Sequence, residues 1–161
     1  MTASSAKRSE DKNTLLVPSR LFGPLRVADD QVIVFPEGLL GFTGAHRFVL
    51  LPAASEGVFW LHSVEEGNLA FLVLEPTRFF PDYSVEVDET IVPFDVSDPS
   101  ALVVLTIVTL PRQAGSRPTA NLRAPLVLNF THRCGCQLLL KESDYQPRHT
   151  FDLADPEENA S

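Results

Sequence analysis

The sequence predicts a mostly β protein, an antiparallel barrel-like or sandwich fold with one short helix, and three observations predict it. The apolar runs are short and rich in Val, Leu, Ile and Phe. Turn-forming Pro, Gly and Asn interrupt them at close intervals; 13 prolines in 161 residues exceed the roughly 5% average and favour many short elements with rigid corners. One run, Ala101 to Leu110, is too apolar and β-branched to be anything but a central strand buried on both faces. Short strands separated by turn signals are the pattern of an antiparallel sandwich or barrel.

Taken in order, Leu15 to Val17 and Leu25 to Val27 are short strands around a Gly23-Pro24 turn. Gln31 to Phe35 is a strand stopped by Pro36, and Arg47 to Leu51 one stopped by Pro52. Val58 to Val64 and Leu69 to Glu75 flank the polar loop Glu65-Glu66-Gly67-Asn68, a hairpin signal. Ser84 to Val87 alternates polar and apolar residues, as a strand does. Leu126 to Phe130 and Gln137 to Leu140 form a second hairpin around a turn at Arg133-Cys134-Gly135. The one helix is expected over Asp88 to Asp95, with Asp88 as N-cap and Pro93 limiting it to about two turns. The domain is expected to span 14–150, between a disordered N-terminal extension, 1–13, and an acidic disordered tail, 151–161.

Charge is unevenly distributed. Between Glu65 and Asp98 nine acidic residues face a single base, Arg78, a net −8 equal to that of the whole chain. Half of the aromatic residues lie in or just before that stretch. Carboxylates among large rings suit capture of a basic protein, because charge steers encounter and ring burial supplies adhesion. The acids Glu65, Glu66, Glu75, Asp82 and Glu86 are therefore candidate partner-binding residues, with Phe79, Phe80 and Tyr83 as candidate anchors. An isoelectric point near 4.9 argues against direct nucleic-acid binding, which needs clustered Lys and Arg.

No apolar run approaches the roughly 20 residues of a membrane-spanning helix, and the polar N-terminus carries no secretory pattern. A reducing cytoplasmic setting is expected, with Cys134 and Cys136 as thiols. Catalytic signatures are missing: no phosphate-binding glycine loop, no G-x-S-x-G elbow, no H-E-x-x-H. Gly38-Leu39-Leu40-Gly41 is too short and apolar to cradle a phosphate. Two chemical alternatives remain open: a hydrolase using Glu75 and Asp82 as paired carboxylates, and a zinc-bearing adaptor using His132, Cys134 and Cys136. Neither has the spacing of an established site, so no enzyme activity, metal or cofactor is expected.

Several strings, in order, resemble the FliW family of flagellar assembly factors. They are Phe35-Pro36-Glu37-Gly38-Leu39-Leu40-Gly41-Phe42, Phe48-Val49-Leu50-Leu51-Pro52 and Phe59-Trp60-Leu61-His62-Ser63. Leu69-Ala70-Phe71, Pro76, Phe80-Pro81-Asp82-Tyr83 and Thr119-Ala120-Asn121-Leu122-Arg123-Ala124-Pro125 follow, then Gln137 and Tyr145-Gln146-Pro147-Arg148. Two features depart from the pattern: His62 stands near a position where an amide is usual, and the N-terminal extension is long. The resemblance implies a barrel-like, non-enzymatic binding protein, a monomer when free. Its implied partners are flagellin and CsrA, a small basic RNA-binding regulator. The factor released by exported flagellin would antagonise CsrA allosterically, from beside the RNA site, and relieve repression of flagellin translation.

Overall fold

The structure, a computed structural model, describes residues 13–87 and 90–152. Its strands are β1 (Thr14–Val17), β2 (Leu25–Ala28), β3 (Ile33–Val34), β4 (Arg47–Pro52), β5 (Val58–Ser63) and β6 (Ala70–Leu74). After one helical turn, α1 (Pro76–Phe79), come β7 (Leu102–Thr109), β8 (Thr119–Ala120), β9 (Leu126–Asn129), β10 (Cys134–Gln137) and β11 (His149–Thr150). Strands β7, β6, β5, β4, β3, β10 and β9 pair in that order, and β9 returns to β7, closing a seven-stranded barrel. All ring pairings are antiparallel except β3 with β10. Of the two architectures the sequence allows, the barrel is the one formed.

Alternation along each strand decides what lies inside. Phe48 and Leu50 of β4, Phe59 and Leu61 of β5, Phe71 and Val73 of β6 and Leu126 and Leu128 of β9 belong to one cluster. Val103, Leu105 and Ile107 of β7 join them, with Ile33 and Phe35 from the β3 segment. The intervening residues face outward and are covered by satellites. The β1–β2 hairpin packs on Val49 and Leu51 of β4. Val85, Val87, Val92 and Phe94 cover Val127, Cys136 and Leu138. Being buried on both faces is why β7 reads as one apolar run.

β7 also explains the closure. Its first half, Leu102–Leu105, pairs with β9, while Thr106–Val108 pairs with β6. β6 stops at Leu74 because Pro76, with its fixed φ and no N–H, opens α1 instead of extending the ladder.

Four sequence expectations are corrected. The helix lies at Pro76–Phe79; Thr90–Asp95 forms turns and bends around Pro93, and Asp88 and Glu89 lie outside the described residues. Ser84–Val87 alternates in burial but joins no strand ladder. The second hairpin turns at Phe130–Arg133, because Cys134 already pairs with Asn129 and Gly135 with Leu128. Arg133 takes the left-handed conformation there, φ +53°. Gly135 is in the strand for a packing reason: a Cβ on it would lie 2.8 Å from the Phe35 ring. The strand expected over Gln31–Phe35 is also shortened to β3, since Asp29–Gln31 forms a 3-10 turn ahead of it.

His62 is fully buried on β5. Its Nδ1–H donates to the Ser63 carbonyl at 2.7 Å, which leaves Nε2 to accept the Ser19 hydroxyl at 2.9 Å. Ser19 Oγ in turn accepts the Phe22 N–H at 3.0 Å. The imidazole thus ties the loop after β1 to the barrel wall.

Candidate protein-binding surface

The acidic stretch does not form one patch. Glu65 and Glu66 sit in the β5–β6 loop, whereas Glu75 lies at the other end of that hairpin, where Val58 pairs with Leu74. At about 3.4 Å per residue the two ends are roughly 15–20 Å apart. Glu65 is ion-paired with Arg47 of β4. Glu75, Phe79, Phe80, Asp82, Tyr83 and Glu86, in contrast, line adjoining clefts that share Tyr83, Ser84, Val85 and Tyr145.

Backbone hydrogen bonds hold the base of this region. Glu75 N–H donates to Gly57 O at 2.8 Å, Phe80 N–H to Pro76 O at 2.7 Å and Tyr83 N–H to Phe80 O at 2.9 Å. The only base of the acidic stretch, Arg78, lies over Gly57, where a Cβ would come within 2.5 Å of Nε. It reaches Glu56 at 3.4 Å and Glu75 at 3.8 Å. Arg78 is occupied by its neighbours, and the carboxylates of Asp82 and Glu86 stand exposed beyond it.

The rings are more internal than the sequence suggests. Phe79 and Phe80 are half-buried and meet Phe151 edge-on at 5.4 and 5.9 Å. Phe151 is 4% exposed, so the packed body runs past the boundary expected at residue 150. Tyr83 is 5% exposed, packs on Tyr145 at 4.6 Å and donates its hydroxyl to Leu122 O at 2.8 Å. It serves as the wall of a cleft, not as a protruding anchor. Asn121 closes the neighbouring turn, its Oδ1 accepting the Arg123 and Ala124 N–H groups at 3.1 and 3.0 Å. Arg123 does not pair with the acidic stretch: it donates to the carbonyls of Tyr145 and Lys141.

Three clefts surround this segment. One of about 400 Å³ is lined by Phe79 to Tyr83 together with Leu122, Tyr145 and His149. A second, about 450 Å³, separates Ser84–Glu86 from Leu139–Ser143. The third, about 330 Å³, runs between Glu75–Thr77, Tyr83–Val85 and Leu102–Val104 of β7. Sequence reasoning missed the contribution of 139–151; its only signal was the Tyr145-Gln146-Pro147-Arg148 string.

Burial, and then the neighbouring Tyr145, raise the Tyr83 hydroxyl well above the ordinary tyrosine range. Burial likewise pushes the Cys136 thiol up to about 12. Both groups hold their protons longer folded than unfolded. Their contribution to stability is therefore complete below the unfolded-state values and is lost as pH rises through the folded ones. The urea midpoint is expected to fall between about pH 9 and pH 11. Tyr83→Phe should lower the midpoint at pH 7, reflecting a stability loss of about 1 kcal/mol or somewhat more for the lost hydrogen bond, and flatten the alkaline decline.

The chemical alternatives find little here. Glu75 and Asp82 line different clefts, and Asp82 is exposed. Among the described residues no three His, Cys, Asp or Glu side chains are arranged to hold a metal. His132 is exposed while Cys136 is buried beside Val127 and Leu138. No helix among the described residues is long and apolar enough to cross a membrane.

The described residues thus define a small closed β-barrel protein flanked by acid-rimmed, aromatic-walled clefts. Residues 16–151 match the FliW protein family. The flagellar assembly factor FliW of Natranaerobius thermophilus is 38% identical over 135 residues, 83% of this chain and 89% of that protein. The one from Treponema denticola is 34% identical, over 83% of this chain and 90% of that protein. A crystal structure of the flagellar assembly factor FliW superposes with a TM-score of 0.72 at 27% identity, over 84% of this chain and 95% of that one. The chain belongs to the FliW family.

Proposed function

We propose that this chain is a non-enzymatic flagellar assembly factor that works by binding two proteins in the cytoplasm, flagellin and a CsrA-type RNA-binding regulator. The observation that carries the reading is the family match across residues 16–151. The surface supports it: the side of the barrel from Glu75 to Glu86 offers exposed carboxylates next to half-buried rings. A regulator that binds RNA must present Lys and Arg to phosphate. An acidic face attracts such a protein and repels its RNA. Binding beside the RNA groove then antagonises the regulator allosterically, and flagellin sets how much factor is free to do so.

Calorimetric titration of the full chain against purified regulator and against flagellin tests this. Complexes with both are expected. The regulator complex should be tighter at about 50 mM salt than at about 150 mM, where the Debye length is about 8 Å. Undetectable binding to both proteins at both salt concentrations would overturn the proposal.

A further inference from the structure

The first half of β7 has an unused edge. In an antiparallel ladder the N–H and C=O of successive residues point to opposite sides. Phe130 N–H donates to Ala101 O and Asn121 N–H to Ile107 O, so residues 101, 103, 105 and 107 direct their backbone groups toward β9 and β8. Val104 and Thr106 therefore direct theirs toward β6. Thr106 meets Leu74 there. The same register carried one step further would put Pro76 opposite Val104, but Pro76 has no N–H and has already turned into α1.

Among the described residues no strand stands at that position; the cleft of about 330 Å³ does, with Leu102, Val103 and Val104 as one wall. The facing wall is Tyr83, Ser84 and Val85. Val85, Glu86 and Val87 make no backbone hydrogen bond to another described residue. The slot thus presents the Val104 N–H and the Leu102 and Val104 carbonyls between apolar side chains, the Leu102 N–H being taken by Pro99 O, and among the described residues Glu75, 3.8 Å from Arg78, is the only charged residue lining it. Such a site is chemically suited to an extended backbone, with alternate side chains in apolar contact and a cation at the Glu75 end.

We propose that the open edge of β7 at Leu102–Val104 is a β-addition site: it accepts an extended basic–apolar peptide segment of a partner protein as an extra strand in line with β6. The recognition is by main-chain hydrogen bonds to Val104, with Glu75 favouring a Lys or Arg at one end of the segment.

The test uses the full chain and two blocked peptides, acetyl-Lys-Val-Arg-Val-Lys-amide and its twin N-methylated at both valines. N-methylation keeps charge and side chains but removes amide donors. In the free chain the Val104 amide should exchange with solvent faster than those of Leu105 and Thr106. The unmodified peptide should bind and slow that exchange, and the methylated twin should bind about tenfold more weakly or less. Glu75→Gln should weaken the unmodified peptide about two- to threefold at low salt while preserving the difference between the peptides. Equal binding of the two peptides, binding of neither, or a Val104 amide already protected in the free chain overturns the proposal. The flagellar reading fails on a different result, absence of complexes with regulator and flagellin.

Discussion

Phe35→Ala is expected to remove about 3–5 kcal/mol of stability, the range for deleting a fully buried Phe, from the roughly 5–15 kcal/mol available to a domain. Phe35 is 0% exposed, meets Phe48 edge-on at 5.5 Å and fills the space that Gly135 leaves by having no side chain. It sits where the one parallel pairing of the ring, β3 with β10, closes the barrel through a single Cys134–Val34 register pair. Phe35 N–H donates to His46 O at 2.7 Å, which keeps the backbone in place, so the vacated volume can collapse little. The measurement is the urea midpoint followed by Trp60 fluorescence. It should drop sharply with an unchanged slope, while Leu40→Ala, 58% exposed in the adjacent loop, should stay within about 0.5 kcal/mol. Equal losses at the two positions would show that the lumen is not the source of stability.

Much of this was legible in the residues. The strands β1, β2, β4, β5, β6 and β7 and the Glu65–Asn68 hairpin loop follow from alternation and from Pro and Gly punctuation, which act locally. What escaped depends on partners distant in sequence. Ser84–Val87 alternates as a strand would, yet its valines pack on Val127 and Leu138 and leave it without a ladder. An N-cap signal at Asp88 favours a helix over Asp88–Asp95, whereas the actual helical turn uses Pro76 at its first position, a signal equally visible in the sequence. The acidic stretch is contiguous in sequence but not in space. A hairpin carries its loop and its open end in opposite directions, so Glu65 and Glu66 part from Glu75. Tyr83 is an anchor candidate by residue type, but Leu122 and Tyr145, some 40 and 60 residues on, close over it.

Reversing two charges, Glu75→Lys with Asp82→Lys, is expected to slow association with a basic regulator about tenfold or more at low salt. Steering by a charged surface can raise on-rates by 10–10³. Both carboxylates lie on the side that holds Phe79 and Phe80, and the Asp82 side chain is exposed, so the change acts on the long-range field before contact. The loss should shrink near about 150 mM salt, where screening has a length of about 8 Å. Dissociation should change less, because rim charges act mainly on encounter and packed groups on residence. The same reversal at Glu65 and Glu66 is the decisive comparison. Those residues carry equal charge and sit on the same hairpin, but Glu65 is held by Arg47 and the loop lies at the far end. Stopped-flow association of the two double variants, each checked for an unchanged urea midpoint, separates the ends. If only the Glu75 and Asp82 reversal slows binding, the regulator approaches the helical-turn side of the barrel. If the Glu65 and Glu66 reversal alone does so, the surface proposed here is not the one used.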